Sequence, residues 1–295
     1  MEFRSLERGE VNRAENVHWC ASGKVINVGI ASQSLGASTT ILTAMGALTG
    51  AAIADEVRSF SANMDAIELS TPTRVCTTIL EADGTTTELV ENAGPVDDLI
   101  LHDFLERFRI HAEVADITVL TGSMPANAPD EFCGFLIRNI PKRMILDIRG
   151  PALLNCLPWN PFIIKPNREE LAQTIEGAAD SEGTTLAAMQ ELNLRGAEWV
   201  VVSDGSRAVY VTSREEQFKL TPPAVEVVNP IGCGDCLAAG MAYSLTEIDE
   251  HDVVTATRLG MGAAAENARQ LLPARISLEQ AQQLADLVSV EDMGA

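Results

Sequence analysis

The stretch Val227-Val228-Asn229-Pro230-Ile231-Gly232-Cys233-Gly234-Asp235-Cys236, continued by Leu237-Ala238-Ala239-Gly240-Met241, decides the fold of this chain. The β-branched residues at its start predict a strand, and the proline and two glycines that follow predict a tight loop. The small apolar residues after the loop recur at helical spacing and predict a helix. A strand, a tight loop and a helix in this order are typical of an α/β fold.

The two glycines of this loop predict an anion site. Without a Cβ, Gly232 and Gly234 let the backbone N–H groups of residues 232–234, including that of Cys233, approach a ligand, and the helix adds unpaired donors and the positive end of its dipole. Asp235 would repel a phosphate there unless it had a proton to remove from an incoming group. The arrangement indicates phosphoryl transfer to a hydroxyl, although Gly-x-Gly-Asp alone is more often only a turn and a helix acid.

The composition is that of a large globular α/β chain. The 295 residues are 46% hydrophobic, 21% charged and 4% aromatic, which favours helices packed closely on a sheet. The net charge of -21 argues against nucleic acid and against an anionic membrane as partners, because both bind through clustered Lys and Arg. An anionic substrate must therefore be held by a few well-placed cations, for which Lys24, Arg74 and Lys165 are the candidates.

The six scattered cysteines and the lack of a secretory segment predict a reduced, cytoplasmic protein without a disulfide framework. The longest soft apolar stretch, Ile41 to Ala54, is interrupted by Thr and Gly and falls short of the ~20 residues of a membrane span. Cys233 and Cys236 form Cys-x-x-Cys but lack the second pair of a zinc site. A thiol at a helix N-terminus has a lowered pKa, so oxidative inactivation is a hypothesis that unchanged activity in peroxide and in dithiothreitol would refute.

From Val96 onward the apolar pattern alternates between helices and strands. The predicted helices are Val96–Arg109, Pro129–Asn139 and Thr184–Leu194, and the predicted strands are Val114–Thr121, Met144–Ile148, Phe162–Lys165 and Trp199–Ser203. Such alternation predicts a mostly parallel sheet covered on both faces, with ligands at the carboxyl ends of its strands.

The amino-terminal third has a different pattern. It predicts a helix, a buried strand and then three short β-rich pieces with Asp83-Gly84 as a hairpin turn. Met1–Glu10 shows no strand, and Val11–Cys20 predicts an extended ribbon that joins the β-rich pieces in a small separate sheet acting as a lid. The predicted segments are Ile26–Leu35 (helix), Thr39–Ala44 (strand), and Ile67–Leu69, Arg74–Glu81 and Thr85–Val90 (β-rich pieces).

The run 227–235 resembles the signature of the PfkB-type carbohydrate kinases (the ribokinase family), usually Asp-Thr-Xaa-Gly-Ala-Gly-Asp. Its form here is most similar to the tagatose-6-phosphate kinase and 1-phosphofructokinase branch. The resemblance implies one kinase domain over 1–295 with the α/β fold of a ribokinase-like three-layer sandwich, built on a mostly parallel central sheet. A small β-sheet lid is expected at about 11–24 and 66–92, and the core at about 25–65 and 93–295. Lids of this branch also imply a homodimer contact.

Three further segments carry residues that the resemblance assigns to the acceptor. Ser22-Gly23-Lys24-Val25-Ile26-Asn27-Val28 resembles the family's Gly-Gly-Lys-Gly-x-Asn-Val, which implies that Lys24 and Asn27 contact the sugar. Replacement of two glycines by Ser and Val predicts a reshaped or narrowed pocket. Thr73-Arg74 matches the lid motif whose arginine captures the sugar's phosphate, and Thr121-Gly122-Ser123-Met124-Pro125 implies Ser123 near that phosphate. Without the resemblance, the first segment is interpreted as a helix cap, Arg74 as a solvent-exposed arginine at a strand edge, and the last segment as a capped turn.

Two other segments are assigned to the nucleotide. Lys165-Pro166-Asn167-Arg168-Glu169-Glu170-Leu171 predicts a strand end, a stop and a capping box in which Asn167 and Glu170 cap a helix. Its similarity to the family's Lys-Pro-Asn-x-x-Glu-Leu implies that Asn167 and Glu170 hold waters of a Mg²⁺ ion and that Lys165 lies near the phosphates of ATP. Ser203 and Gly205, in a turn after a buried strand, are implied contacts of the triphosphate.

One departure from the family concerns the amino terminus. Family members begin with a strand carrying Asn-Pro-x-x-Asp, whereas this chain starts after the point where that strand would lie, near Gly9–Arg13. We favour a coding start that was set too late over loss of a core strand, because a sheet without an inner strand leaves backbone groups unpaired. Met1 at the amino terminus of the native protein would contradict this hypothesis.

The function implied by this resemblance is ATP- and Mg²⁺-dependent phosphorylation of a sugar-phosphate hydroxyl, with Asp235 as general base and residues 232–234 as the anion hole. Two alternatives stay open. In the first, the protein is a kinase whose acceptor is an unphosphorylated sugar or a nucleoside, which the presence of Arg74 argues against. In the second, it is a catalytically silent protein that senses a sugar phosphate.

Overall fold

The computed structural model describes residues 1–138, 140, 143–247 and 252–294. The helices are α1 (Lys24–Leu35), α2 (Ala47–Ser59), α3 (Asp98–Val114), α4 (Phe132–Ile137), α5 (Gly150–Leu154), α6 (Arg168–Ala172), α7 (Glu182–Leu194), α8 (Cys233–Glu247), α9 (Val253–Ala268) and α10 (Leu278–Ala285). The strands are β1 (Glu2–Phe3), β2 (Thr40–Gly46), β3 (Asn63–Leu69), β4 (Cys76–Glu81), β5 (Thr86–Val90), β6 (Ile117–Thr121), β7 (Arg143–Asp147), β8 (Ile163–Ile164), β9 (Trp199–Ser203), β10 (Val209–Thr212), β11 (Gln217–Thr221) and β12 (Ser289–Asp292).

The central sheet has seven strands in the order β12-β11-β10-β9-β8-β7-β6. Strands β6 to β9 pair in parallel, as the alternating pattern predicted, and β9 to β12 form an antiparallel continuation. Parallel strands place their carboxyl ends at one edge, and here that edge carries Thr121, Asp147 and, just beyond β8, Lys165. The sheet therefore brings polar side chains from distant segments to one place.

Helices cover both faces of this sheet and make three layers. Leu146 and Ile164 face the core shared with α3 to α7, whereas Ile145 and Ile163 face the core shared with α8 and α9. The alternation follows from the period of two along a strand. Glycines at the α8–α9 crossing let these helices approach closely, since a Cβ on Gly240 would lie 2.7 Å from the Cα of Gly260. The expected three-layer α/β class is confirmed.

The small sheet differs in its composition from the prediction. It contains β1, β4 and β5, with β1 parallel to β4 and the predicted hairpin turn between β4 and β5. The segment 11–20 forms no strand, only a single bridge from Asn16 to Glu2, so the extended ribbon was wrong and the strand lies at Glu2–Phe3 instead. The burial of Phe3 and the hydrogen bond from the Met1 amino group to the Thr78 carbonyl at 2.8 Å fix β1 there.

Strand β3 was also misassigned, because it pairs in parallel with β2 in a separate two-stranded sheet and not with the hairpin.

Residues 222–230, where a strand was predicted before the glycine loop, form no strand either. Prolines at 222, 223 and 230 remove ladder donors, Val227 and Val228 are exposed, and the Val228 and Asn229 amides donate to the carbonyl of Ala268 at the end of α9. The boundary between lid and core stays a prediction.

The remaining predicted elements occur with shifted ends. Val114 belongs to α3 and not to the strand that follows, and α4 is shorter than predicted, with Asn139 outside the described residues. Among the helices of the described segments, none has the length and apolar character required to cross a membrane.

Candidate active site

The loop at residues 229–232 leads into the N-terminus of α8, where the sequence predicted an anion site. Gly232 has φ 85°, and a Cβ there would lie 2.9 Å from the Pro273 side chain, so the position requires glycine. Gly234 is exposed, and a Cβ added to it would point at the Lys165 ammonium 3.8 Å away. The absence of this Cβ leaves room for a ligand between the helix N-terminus and the lysine.

Asp235, in the first turn of α8, is buried, with 6% of its surface exposed. Its Oδ2 accepts a hydrogen bond of 2.7 Å from Nδ2 of Asn27, whose Oδ1 accepts one of 3.1 Å from the Ser22 hydroxyl. Burial raises the pKa of Asp235 to about 7, against the lowering effect of the Asn27 hydrogen bond. The Asp235 carboxyl therefore titrates near neutral pH, where it can exchange a proton with a substrate.

Asp147 is a second buried carboxylate at this edge, and the sequence analysis missed it. Its two oxygens lie 3.2 Å from Nζ of Lys165 and 3.6 Å from Nζ of Lys24, and Thr121 donates a hydrogen bond of 2.9 Å. Burial acts to raise the pKa of Asp147, but the two lysines and the hydroxyl outweigh it and hold the pKa below its ordinary value. Asp147 thus fixes both lysine ammonium groups beside the loop.

Asn167 and Glu170 form the predicted capping box of α6. Asn167 Oδ1 accepts from the Glu170 amide at 2.7 Å, and Glu170 Oε2 accepts from the Asn167 amide at 3.0 Å. The other carboxylate oxygen, Oε1, lies 3.0 Å from Nζ of Lys24 and 3.5 Å from Nη1 of Arg149. The cap therefore uses one oxygen of Glu170 and aims the other into the site.

Ser203 and Gly205 lie next to this capping box. Ser203 ends β9 and forms an isolated parallel bridge with Asn167, and Gly205 follows in an exposed turn with φ 56°. The buried Asp204 between them is held by Arg168 and Arg207 at 2.8 and 2.5 Å. The structure thus brings Lys165, Asn167 and Ser203 together, as the parallel-sheet prediction requires.

A cavity of about 220 Å³ opens beside these groups and is lined by Lys24, Ser123 and Glu170. Met124, Ile148 and Arg149 are among the other residues that line it. A larger cavity of about 1070 Å³ lies at the opposite, amino-terminal ends of β7 to β9, where Trp159 and Trp199 line it. No predicted site residue lines the larger cavity, so the smaller one, with its convergent polar groups, is the candidate substrate pocket.

Arg74, in the lid, is exposed and lies apart from these groups. Its Nη1 is 3.5 Å from the Glu91 carbonyl oxygen, and no hydrogen bond or ion pair joins it to the cluster within the residues that the structure describes. Arg74 does not line the smaller cavity, and its capture of a phosphate stays a prediction.

The Cys-x-x-Cys thiols are held by one amide side chain. Asn267 donates from Nδ2 to Cys233 Sγ and accepts at Oδ1 from Cys236 Sγ, both at 3.4 Å. Burial raises the pKa of both thiols, which is the opposite of the lowering that the helix N-terminus predicted. The structure thus gives no support to reactive thiolates here, and all six cysteines are free.

Sequence signals existed for the residues that were missed. Asp147 is a lone charge at the end of the apolar strand Met144–Leu146, a position where parallel sheets place functional groups. Arg149 follows two residues later, and Thr121 pairs with Asp147 in register across β6 and β7. The site brings together the Asp235 carboxyl, whose pKa is raised to about 7, the ammonium groups of Lys24 and Lys165, and the N-terminus of α8. This combination suits phosphoryl transfer.

Comparison with known proteins gives a family and a fold. The model of the pfkB family carbohydrate kinases matches residues 1–280. Phosphofructokinase-2 from Escherichia coli, solved in complex with potassium, superimposes with a TM-score of 0.88 at 23% identity and covers 97% of this chain and 94% of its own.

A possible 1-phosphofructokinase from Thermotoga maritima is similarly alike, with a TM-score of 0.86 at 21% identity, over 99% of this chain and 96% of its own. The complex of the E. coli enzyme with fructose-6-phosphate gives a TM-score of 0.86 at 23% identity, over 97% of this chain and 93% of that one. At these identities the likenesses show the fold.

Proposed function

Because the chain belongs to the pfkB family of carbohydrate kinases, we propose that it transfers the terminal phosphate of ATP to a hydroxyl of a sugar phosphate. The observation that carries this proposal is Asp235, a carboxyl with a pKa of about 7 buried beside the helix N-terminus of a glycine loop. A general base works best when its pKa lies near the operating pH.

The reaction follows from the positions of these groups. Asn27 holds Oδ2 of Asp235, so Oδ1 is the oxygen that takes the proton of the acceptor hydroxyl. The hydroxyl oxygen then forms a bond to the terminal phosphorus of ATP while the bond to the ADP oxygen breaks. Backbone N–H groups at 232–234 and the ammonium of Lys165 stabilise the charge on the transferring group, and the proton on Asp235 returns to solvent.

A magnesium site fits the residues near the phosphates. Mg²⁺ keeps several waters and needs only one or two carboxylates, and Glu170 offers one oxygen toward the cavity beside the amide of Asn167. These two side chains would hold the ion through water, with Ser203 and Gly205 along the triphosphate. When bound, the ion neutralises phosphate charge.

Support for a phosphorylated acceptor comes from the pocket. Lys24 and Ser123 line the cavity, and a chain of net charge -21 needs such local cations to hold an anion. Two solved relatives of the fold, from E. coli and T. maritima, are named as a phosphofructokinase and a possible 1-phosphofructokinase, and the E. coli enzyme was solved with fructose-6-phosphate. A free sugar or nucleoside is the alternative acceptor.

A homodimer through the lid and a cytoplasmic location belong to the same proposal. The E. coli enzyme is known in a tetrameric inhibited form.

A catalytically silent sugar-phosphate sensor is the second candidate function, because valine and serine replace two glycines of the acceptor motif. Ser22, however, bonds to Asn27, and Val25 lies within α1, so both replacements are accommodated next to an intact Asp235. A sensor has no need of a buried base, and this weighs against silence.

The test is ATP-dependent release of ADP with fructose 1-phosphate, fructose 6-phosphate, tagatose 6-phosphate and the free sugars. Asp235→Asn keeps the shape of the side chain, and Asp55→Asn, at an exposed site on α2, is the matched control for loss of one charge. We expect turnover with a phosphorylated acceptor, reduced ~10²- to 10⁴-fold in Asp235→Asn and unchanged in Asp55→Asn.

Turnover with free sugars or nucleosides alone would show that the protein is a kinase but that its acceptor is not phosphorylated. Calorimetric binding of a sugar phosphate without any turnover would identify the sensor. Equal activity of the Asp235 variant and the wild type would contradict the assignment of the base.

A further inference from the structure

Arg149 extends into the candidate pocket from the turn between β7 and α5. It lines the cavity with Lys24 and Ser123, its side chain is 53% exposed, and its one ion pair, with Glu170, is long at 3.5 Å. Within the described part of the chain no hydrogen bond involves its guanidinium. Five N–H donors in a planar fork are therefore largely available to a ligand.

The backbone that carries Arg149 is anchored. The next residue, Gly150, has φ 63°, and its amide donates a hydrogen bond of 2.9 Å to the hydroxyl of Thr174. Thr174 in turn donates to the Glu170 carbonyl at 2.8 Å, so the turn is tied to α6. The guanidinium thus starts from a fixed point next to the carboxylate that also binds Lys24.

The cavity belongs to the acceptor side of the site. Of the residues expected to meet the nucleotide or its Mg²⁺, Glu170 lines it, but Lys165, Asn167 and Ser203 do not, whereas Lys24 and Ser123, expected to meet the acceptor, both do. At about 220 Å³ it is smaller than the ~300–1,000 Å³ of ordinary ligand pockets, and suits a substituent better than a whole nucleotide.

The cavity is lined by two cations, Lys24 and Arg149, and by two carboxylates, Glu170 and Asp130. Lys24 and Arg149 converge on Oε1 of Glu170, so one carboxylate faces two cations, and Lys24 also pairs with Asp147. Asp130 adds a negative charge at the exposed rim. Because the guanidinium is half exposed and its ion pair is long, it can turn from Glu170 to an incoming phosphate without leaving a buried charge unpaired.

We propose that Arg149 is a specificity-determining residue that binds the phosphate already carried by the acceptor, together with Lys24 and the hydroxyl of Ser123. The inference rests on the proposed function. It assigns capture of the phosphate to a residue of the α/β core, next to Glu170, in addition to Arg74 of the lid. A bidentate contact from the core selects phosphorylated sugars before the lid moves.

Arg149→Ala and Arg149→Lys test this, with Arg195→Ala, on the exposed end of α7, as the control for loss of one positive charge. Because Arg149→Ala removes charge-assisted hydrogen bonds to the phosphate, we expect it to raise KM for the phosphorylated acceptor ~10- to 100-fold. KM for ATP and kcat should change less than about twofold, and the lysine variant should recover part of the loss, because it keeps the charge but not the fork.

Three results would overturn the proposal. Unchanged KM for the acceptor would show that Arg149 only covers Glu170, and an equal rise in KM for ATP would assign it to the nucleotide. If the wild type turns over no acceptor, calorimetry with fructose 1-phosphate, fructose 6-phosphate and tagatose 6-phosphate decides. If a sugar phosphate binds the wild type and binds Arg149→Ala more weakly, Arg149 still binds the phosphate although the kinase proposal fails. If no sugar phosphate binds the wild type, both proposals fail.

Discussion

Replacement of Asp235 by asparagine should stabilise the protein at alkaline pH while it removes activity. Burial is the largest cause of the rise in the pKa of this carboxyl from 3.8 to about 7. The rise amounts to roughly 4 kcal/mol, at ~1.4 kcal/mol for each pKa unit. The folded chain therefore resists ionisation of Asp235, and the unfolded chain does not.

The sign follows from proton linkage. A folded-state pKa above the unfolded value contributes stability that is complete below the unfolded pKa, near 4, and is lost as pH rises through about 7. Between pH 5 and pH 8 the wild type should lose roughly 3 kcal/mol from this group, and Asp235→Asn should lose none of it. Other groups titrate in both proteins and cancel from the difference.

The assay is thermal and urea unfolding of both proteins at pH 5, 6.5 and 8. At roughly 2 °C per kcal/mol for a chain of this size, the Tm advantage of Asp235→Asn should grow by roughly 6 °C from pH 5 to pH 8. Asp55→Asn, whose side chain is 75% exposed, should track the wild type. A Tm difference that stays constant over this range would refute the argument that Asp235 is held at high pKa by burial.

Three further outcomes are expected. Asp147→Asn leaves Lys165 buried without its carboxylate, so the free energy of unfolding by urea should fall by ~3–5 kcal/mol, and a loss below ~1 kcal/mol would contradict the pair's burial. Gly232→Ala forces a positive φ on alanine and should lower kcat ~10²-fold through displaced loop donors, whereas wild-type turnover would show that the loop is not a phosphoryl site. In the wild type, kcat/KM should fall as pH drops below about 7. In Asn27→Ala this fall should occur at higher pH, because the hydrogen bond that lowers the pKa of Asp235 is gone. A fall at the same pH in both proteins would show that another group titrates.

The sequence allowed prediction of the parts of the site that depend on short-range signals. The glycine loop and the capping box at 167–170 each occupy a few consecutive residues, so spacing and turn chemistry sufficed, whereas the role of Asp235 as base stays a proposal. The parallel strands β6 to β9 followed from periodicity, and with them the edge that gathers the candidate site residues.

Long-range pairing explains what sequence reasoning missed. Glu2–Phe3 is too short for a strand pattern and becomes β1 only through its parallel partner at residues 80–81. Two apolar residues before the loop, Val227 and Val228, suggested a strand, but both side chains are exposed and the Val228 amide donates to the Ala268 carbonyl at the end of α9. Asp147 gains its role from two lysines at positions 24 and 165, which no local pattern joins.

The capping box at the start of α6 has a consequence for how this chain changes over generations. Asn167 and Glu170 terminate a helix whether or not a nucleotide ever binds, so selection for folding alone preserves both. Asp235 is under the opposite pressure, because a neutral side chain there would be favoured in any lineage that no longer used its proton. The proposed role of Asp235 as base therefore predicts that, among related chains, substitution at 235 with an intact capping box marks those that have given up catalysis.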